Sequence, residues 1–116
     1  MSVIVIGSGI AGASTFFALA RRGMPVTLID DGTTGQATAA SAGIIQPWSS
    51  RTEGAFYDLY AAGAAYYPEL LSQLAAAGVV RTDYRQTGGL VVSADGAVLD
   101  DVEERLERRR SGPGEA

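Results

Sequence analysis

The sequence contains neither cysteine nor histidine. Without cysteine there is no disulfide framework, no thiolate nucleophile and no zinc–sulfur site. Without histidine the commonest general base and the commonest transition-metal ligand are missing. Lysine is absent as well: all nine basic residues are arginine, set against thirteen acids, and the formal net charge of −4 argues against a nucleic-acid partner. Long apolar runs are lacking too. Met1 to Leu19 is apolar enough to suggest a leader peptide, but no Lys or Arg precedes the run and glycines break it. It is interrupted too early to span a bilayer. The expectation is a cytoplasmic protein without a transmembrane segment, whose first strand lies close to its first residue. What the 116 residues do hold is 47% apolar side chains and fifteen glycines, enough for one domain with a packed core.

The organising stretch is Val3-Ile4-Val5-Ile6-Gly7-Ser8-Gly9-Ile10-Ala11-Gly12. Four β-branched residues run into three glycines spaced G-x-G-x-x-G, and an Ala-rich segment follows, as in a buried parallel strand, a tight turn and a helix start. Gly7 lets the chain turn off the strand, Gly9 lets a pyrophosphate approach the backbone, and Gly12 lets the helix pack closely on the strand. Free N–H groups of the first helical turn then face outward with the positive end of the helix dipole behind them, which attracts a phosphate without Lys or Arg. Ile10, Ala13, Phe17 and Ala20 fall on one face of a helix read from Ala13 to Arg22. Gly23 stops it and Pro25 prevents it from resuming. A second strand, Val26 to Ile29, ends in Asp30, eighteen residues after Gly12. An acid about 20 residues beyond the glycines reaches the adenosine ribose in a dinucleotide-binding βαβ unit. The bland alternative is a glycine-rich turn with no ligand.

Residues 31–43 are rich in small side chains, with hydroxyls at Thr38 and Ser41, and read either as a surface loop or as a close-fitting wall against an extended ligand. Trp48 reads as a core or interface residue. Glu53 to Ala77 is a second helix, with Thr52 or Ser50 placed to cap it, a kink or break expected at Pro68, and Gly78 ending it. Its tyrosines read as amphipathic packing rather than a cofactor wall. Gln86 to Gly89 reads as a turn and Leu90-Val91-Val92 as a strand that starts a second sheet. Val98, Val102 and Leu106 put an apolar stripe on a last helix, and Arg108-Arg109-Arg110 reads as its solvated C-terminal turn. Residues 111–116 read as a flexible tail. An open parallel sheet needs more than two strands and cover on both faces, so the chain looks like the front of a larger protein or one chain of a complex.

Val3 to Gly12, Asp30, Ala37-Thr38-Ala39-Ala40-Ser41-Ala42-Gly43-Ile44 and Gln86 to Val92 together resemble the FAD-dependent oxidoreductases of the D-amino-acid oxidase, glycine oxidase and D-amino-acid dehydrogenase type. The Ala-Thr-x-x-Ser-Ala-Gly segment is the more specific part. The resemblance implies an α/β chain with a Rossmann-like βαβ FAD-binding portion over residues 1–80 and the start of a substrate-domain-like sheet over 81–110, incomplete relative to the family. It implies FAD as cofactor. Gly7, Ser8, Gly9, Ile10, Ala11 and Gly12 would hold the pyrophosphate, and Asp30 the ribose with Asp31 beside it. Thr38, Ser41, Ala42, Gly43 and Ile44 would run along the ribityl chain. It also implies an amine or amino-acid substrate in the complete enzyme, hydride transfer from the carbon bearing nitrogen, and the remainder of the chain or a partner subunit to finish the site. No catalytic residue is assigned, and Arg51 and Arg85 are substrate-carboxylate candidates by charge alone, with surface ion pairs as the blander role. The rival readings are an NAD(P)-dependent dehydrogenase module and a non-catalytic nucleotide-binding fragment or subunit.

Overall fold

A computed structural model of the chain describes residues 1–110; the expected tail, residues 111–116, lies outside them. The elements run β1 (Val3–Ile6), α1 (Ile10–Arg21), β2 (Val26–Ile29), α2 (Ala37–Ala40), α3 (Gly54–Ala76) and α4 (Gly96–Arg110). They fall into two compact units, one over Met1–Ile44 and one from Ile45 onward.

In the first unit β1 and β2 pair in parallel, with Val3 opposite Val26 and Ile6 opposite Ile29. Parallel neighbours need a crossover, and α1 provides it. Val3 N–H bonds the Pro25 carbonyl at 3.0 Å and Gly7 N–H bonds the Ile29 carbonyl at 2.7 Å, so the ladder runs one step past each strand. Side chains alternate: Val3, Val5, Val26 and Leu28 are half-buried, and the Val5 methyl approaches the α1 position of Gly12. The other face carries Ile4, Ile6 and Ile29, which are 63%, 84% and 49% exposed. The sequence expected strands covered on both sides; among the described residues this chain supplies a helical layer to one side only.

Helix α1 begins at Ile10, three residues ahead of the expected Ala13, because Ala13 N–H already closes a turn on the Gly9 carbonyl at 2.9 Å. Gly12 therefore lies inside the first turn. It ends as expected: Gly23, at φ 72°, donates to Ala20 while Met24 donates to Leu19, the paired bonds of a Schellman cap. Between β2 and the second unit the small-residue stretch forms one turn of helix, α2, where a loop was expected; alanine favours helix most strongly.

In the second unit α3 ends in the same kind of cap, with Gly78 at φ 91° and Val79 N–H reaching the Leu74 carbonyl at 2.9 Å. It runs unbroken through Pro68, where several turns on each side sustain it despite one missing ladder bond. Neither expected cap residue serves. The N-cap is Glu53 without a side-chain bond, the Ser50 hydroxyl donates to the Pro47 carbonyl at 2.7 Å, and the Thr52 carbonyl accepts from Arg109. The tyrosines pack as expected, with Tyr67 stacked on Tyr84 at 5.4 Å and the Tyr66 hydroxyl donating to Gln73.

Two expectations for the C-terminal half are corrected. Leu90-Val91-Val92 is not a strand, and the only sheet among the described residues is β1–β2. A strand exists through its ladder, and this stretch, with Leu90 and Val92 at 87% and 80% exposure, meets no partner backbone. The second sheet therefore does not form among the described residues. The arginine turn is also not wholly solvated. Arg108 pairs with Glu104 in solvent, but Arg109 turns inward. Its guanidinium donates to the carbonyls of Pro47, Trp48, Ser50 and Thr52 and stacks 3.8 Å over the Tyr57 ring. Arg105, 5% exposed, donates to Ser49 at 2.8 Å and pairs with Asp101. The fork of five donors suits a turn whose carbonyls converge, and the ring face accepts a cation. Trp48, expected in the core or an interface, is 39% exposed.

A methyl group at residue 12 would lie 1.8 Å from the Gly7 carbonyl oxygen. Gly12→Ala is therefore expected to destabilise the fold by about 3 kcal/mol or more, at the severe end of overpacking. Chemical denaturation with an unchanged midpoint would contradict this close approach. Arg109→Met is expected to lose at least about 1.5 kcal/mol, the scale of one charged hydrogen bond, whereas Arg108→Met stays within about 0.5 kcal/mol. Equal effects of the two on the same denaturation curve would contradict the inward placement of Arg109.

Candidate nucleotide-binding site

The site is built where β1 hands the chain to α1. Gly7, at φ 94°, occupies a conformation that side chains disfavour, and its N–H is the last rung of the sheet. The next five amides emerge together at the N-terminus of α1. The Ser8 N–H donates to Asp30 Oδ2 at 2.6 Å, and the Ile10 N–H donates to Thr38 Oγ1 at 3.0 Å. Among the described residues, the N–H groups of Gly9, Ala11 and Gly12 have no protein acceptor. The sequence treated all the amides from Ser8 to Gly12 as open. Two are taken by side chains 22 and 28 residues away, and three stay free. Unsatisfied donors at the positive pole of a helix of 12 residues can hold an anion by hydrogen bonding and by the dipole together.

Asp30 closes one side. Its second oxygen accepts the Gly32 N–H at 2.8 Å. Donation from the Ser8 amide, then from the Gly32 amide and the Ser8 side chain, holds its carboxyl below the ordinary value of 3.8, against an opposing effect of desolvation. Asp30 is thus a fixed anion at the end of β2. A carboxylate offers about four acceptor sites, and with these three donors in place at least one remains for a hydroxyl donor. Asp30 also organises the turn through Ser8.

Asp31 does not join the cluster. Its Oδ1 accepts the N–H and hydroxyl of Thr33 at 3.2 and 3.1 Å, closing a local turn. Thr38 does join it, as a remote cap of α1. A Cβ on Gly9 would sit 3.3 Å from its hydroxyl oxygen, so the bare Gly9 makes room for Thr38. Ser41, Ala42, Gly43 and Ile44 are exposed, and Ser41 Oγ accepts the Gly43 N–H at 3.1 Å. Among the described residues no hydrogen bond links these four to the glycine turn. Arg51 and Arg85 are exposed, and neither makes an ion pair among the described residues. There is also no group of acids placed to hold a metal among those residues, and no helix long and apolar enough to cross a membrane.

Comparison with known proteins gives a consistent picture. A family model described as FAD dependent oxidoreductase (DAO) matches residues 2–116. The uncharacterised oxidoreductase YurR of Bacillus subtilis is 44% identical over 110 residues, which is 94% of this chain and 30% of that protein. The tRNA 5-methylaminomethyl-2-thiouridine biosynthesis bifunctional protein MnmC of Aromatoleum aromaticum is 34% identical over 97% of this chain and 18% of its own length. The crystal structure of iminodiacetate oxidase from Chelativorans sp. BNC1 superposes with a TM-score of 0.87 at 42% identity, over 94% of this chain and 30% of that one. The chain thus spans about 30% of the first relative and of the solved structure.

The Asp30 geometry carries a sign. Its folded-state pKa is depressed, so its contribution to stability is present above the unfolded value and is lost as pH falls through the folded one. Carboxyl NMR is expected to give Asp30 a midpoint below 3.8, with the Ser8 amide resonance moving along the same curve. A midpoint at or above the ordinary value, or a Ser8 amide indifferent to that titration, would contradict the bond.

Proposed function

Because the chain belongs to the FAD-dependent oxidoreductase (DAO) family, we propose that it is the FAD-binding portion of a flavin-dependent amine or amino-acid oxidoreductase. The observation that carries this reading is the trio of open amides at Gly9, Ala11 and Gly12, set beside the fixed carboxylate of Asp30. The residues fit the cofactor's adenosine diphosphate half. Amide donors at the helix terminus suit the diphosphate, while Asp30 suits the ribose hydroxyls and repels a further phosphate there. Ser8 and Ile10 act through the backbone they fix, and Thr38 holds the turn from the side.

Ser41, Ala42, Gly43 and Ile44 are proposed to continue along the cofactor towards the flavin, which rests on the resemblance of the Ala37 to Ile44 segment, and Asp31, expected beside the ribose, to support the loop after β2 through Thr33. By role, residues 1–80 are the FAD-binding portion and residues 81–110 begin a substrate-domain-like region, although the compact units divide after Ile44. The family match favours FAD over a nicotinamide cofactor.

Held at the Gly9, Ala11 and Gly12 amides and at Asp30, FAD would supply the two-electron acceptor for oxidation of a substrate amine to an imine. This chain's residues bind and orient; none is assigned to the proton transfer. The oxidase name of the structural relative supports an amine substrate. The substrate-binding residues and the rest of the site are proposed to come from further protein, in the same chain or a partner. A cytoplasmic location belongs to the same proposal, supported by the apolar run at Val3–Ile6 forming a paired strand.

The test is FAD retention and titration in the protein that carries this chain. Gly9→Val is expected to abolish retention, since its side chain would crowd Thr38 and the open amides. Asp30→Ala is expected to weaken FAD binding about tenfold or more, the scale of one or two charge-assisted hydrogen bonds. A Gly9→Val protein that purifies with its full flavin absorbance, or an Asp30→Ala protein with unchanged affinity, would contradict the assignment.

A further inference from the structure

We infer that Thr38 is a positioning residue that couples the glycine turn to the segment following β2, so that a ligand on one orders the other. The inference rests on the diphosphate reading of the turn. Helix α2 is a single turn, with Ala40 N–H bonded to Gln36 at 3.2 Å and Ser41 N–H to Thr38 at 3.3 Å. A turn that short does not sustain itself in water. Among the described residues its one hydrogen bond to β1, α1 or β2 is the acceptance of the Ile10 N–H by the Thr38 hydroxyl. The fit on the other side is steric: a Cβ on Gly9 would stand 3.3 Å from that hydroxyl oxygen. Gly9 and Thr38 form a matched pair, one bare and one filling the space.

The neighbouring amides of Gly9, Ala11 and Gly12 are the open ones. An anion held there immobilises the backbone that aims the Ile10 N–H at Thr38. The two events share one ordering cost, and the coupling is reciprocal. Thr38 thereby transmits occupancy of the turn to residues 37–41 without having to touch the ligand.

ADP is the probe, because it carries the diphosphate and ribose without the flavin. Added to the full chain, it is expected to slow amide exchange at Ala40 and Ser41 about threefold or more, read residue by residue by NMR. Thr38→Ser is expected to retain the effect. Thr38→Val and Thr38→Ala, which have no hydroxyl, are expected to lose it while ADP still shifts the Ala11 and Gly12 amides. Exchange in β1 and β2 reports that each variant keeps its fold. Should Thr38→Val fail that control, the contrast between Thr38→Ala and Thr38→Ser decides. Slowing that persists in the uncoupled variants, or no slowing in the unaltered chain despite ADP-induced shifts at Ala11 and Gly12, overturns the coupling and leaves the diphosphate reading intact. No ADP-induced shift at Ala11 and Gly12 in the unaltered chain overturns both.

Discussion

A Cβ at residue 12 would stand 1.8 Å from the Gly7 carbonyl oxygen, so the start of α1 lies against the end of β1 with no volume for a side chain there. That contact sets α1 down on the β1–β2 pair at its very first turn. The consequences propagate in both directions. Towards the sheet, Val5 packs beneath the helix and the ladder continues to the bond between Gly7 and Ile29. Towards solvent, the helix starts at Ile10 with its donors lifted clear of the sheet, so that three amides face outward at the positive pole. The close packing of α1 on the sheet and the outward-facing amides thus depend on one missing methyl group.

The site has no basic side chain. In a chain carrying a net charge of −4 and no lysine, attraction for a diphosphate has to come from backbone donors and the helix dipole, which are fixed by the fold. The acidic neighbour Asp30 is consistent with this. Held ionised by the Ser8 and Gly32 amides, it orders the turn, and its remaining acceptor capacity suits a hydroxyl rather than a phosphate. Thr38 completes the arrangement from the far side of the turn.

Much of this was legible in the residues because it is local. The strand Val26–Ile29, the glycine caps at Gly23 and Gly78, and the apolar stripe on α4 each depend on neighbours within one or two turns. What was not legible depends on residues distant in sequence. No spacing rule links Thr38 to Ile10 across 28 positions, or Arg109 to carbonyls some 60 residues away. The helix starts three residues ahead of Ala13, because the bond from Ala13 N–H to the Gly9 carbonyl closes a turn across a glycine-rich stretch of low helix propensity. Leu90 to Val92 has the composition of a strand, but a ladder also needs a second strand, and composition cannot provide one. Ile4, Ile6 and Ile29 make the same point for burial: their apolarity suits a sheet covered on both faces, and this chain covers one.

The open backbone amides at the α1 terminus are proposed to bind a diphosphate. A crystal structure of the protein carrying this chain with FAD bound tests it most directly. The expected result is phosphate oxygens about 3 Å from the amide nitrogens of Gly9, Ala11 and Gly12, the distance of an ordinary hydrogen bond, with Asp30 on the ribose. Phosphates held elsewhere, with those three amides facing solvent or protein atoms, would contradict it.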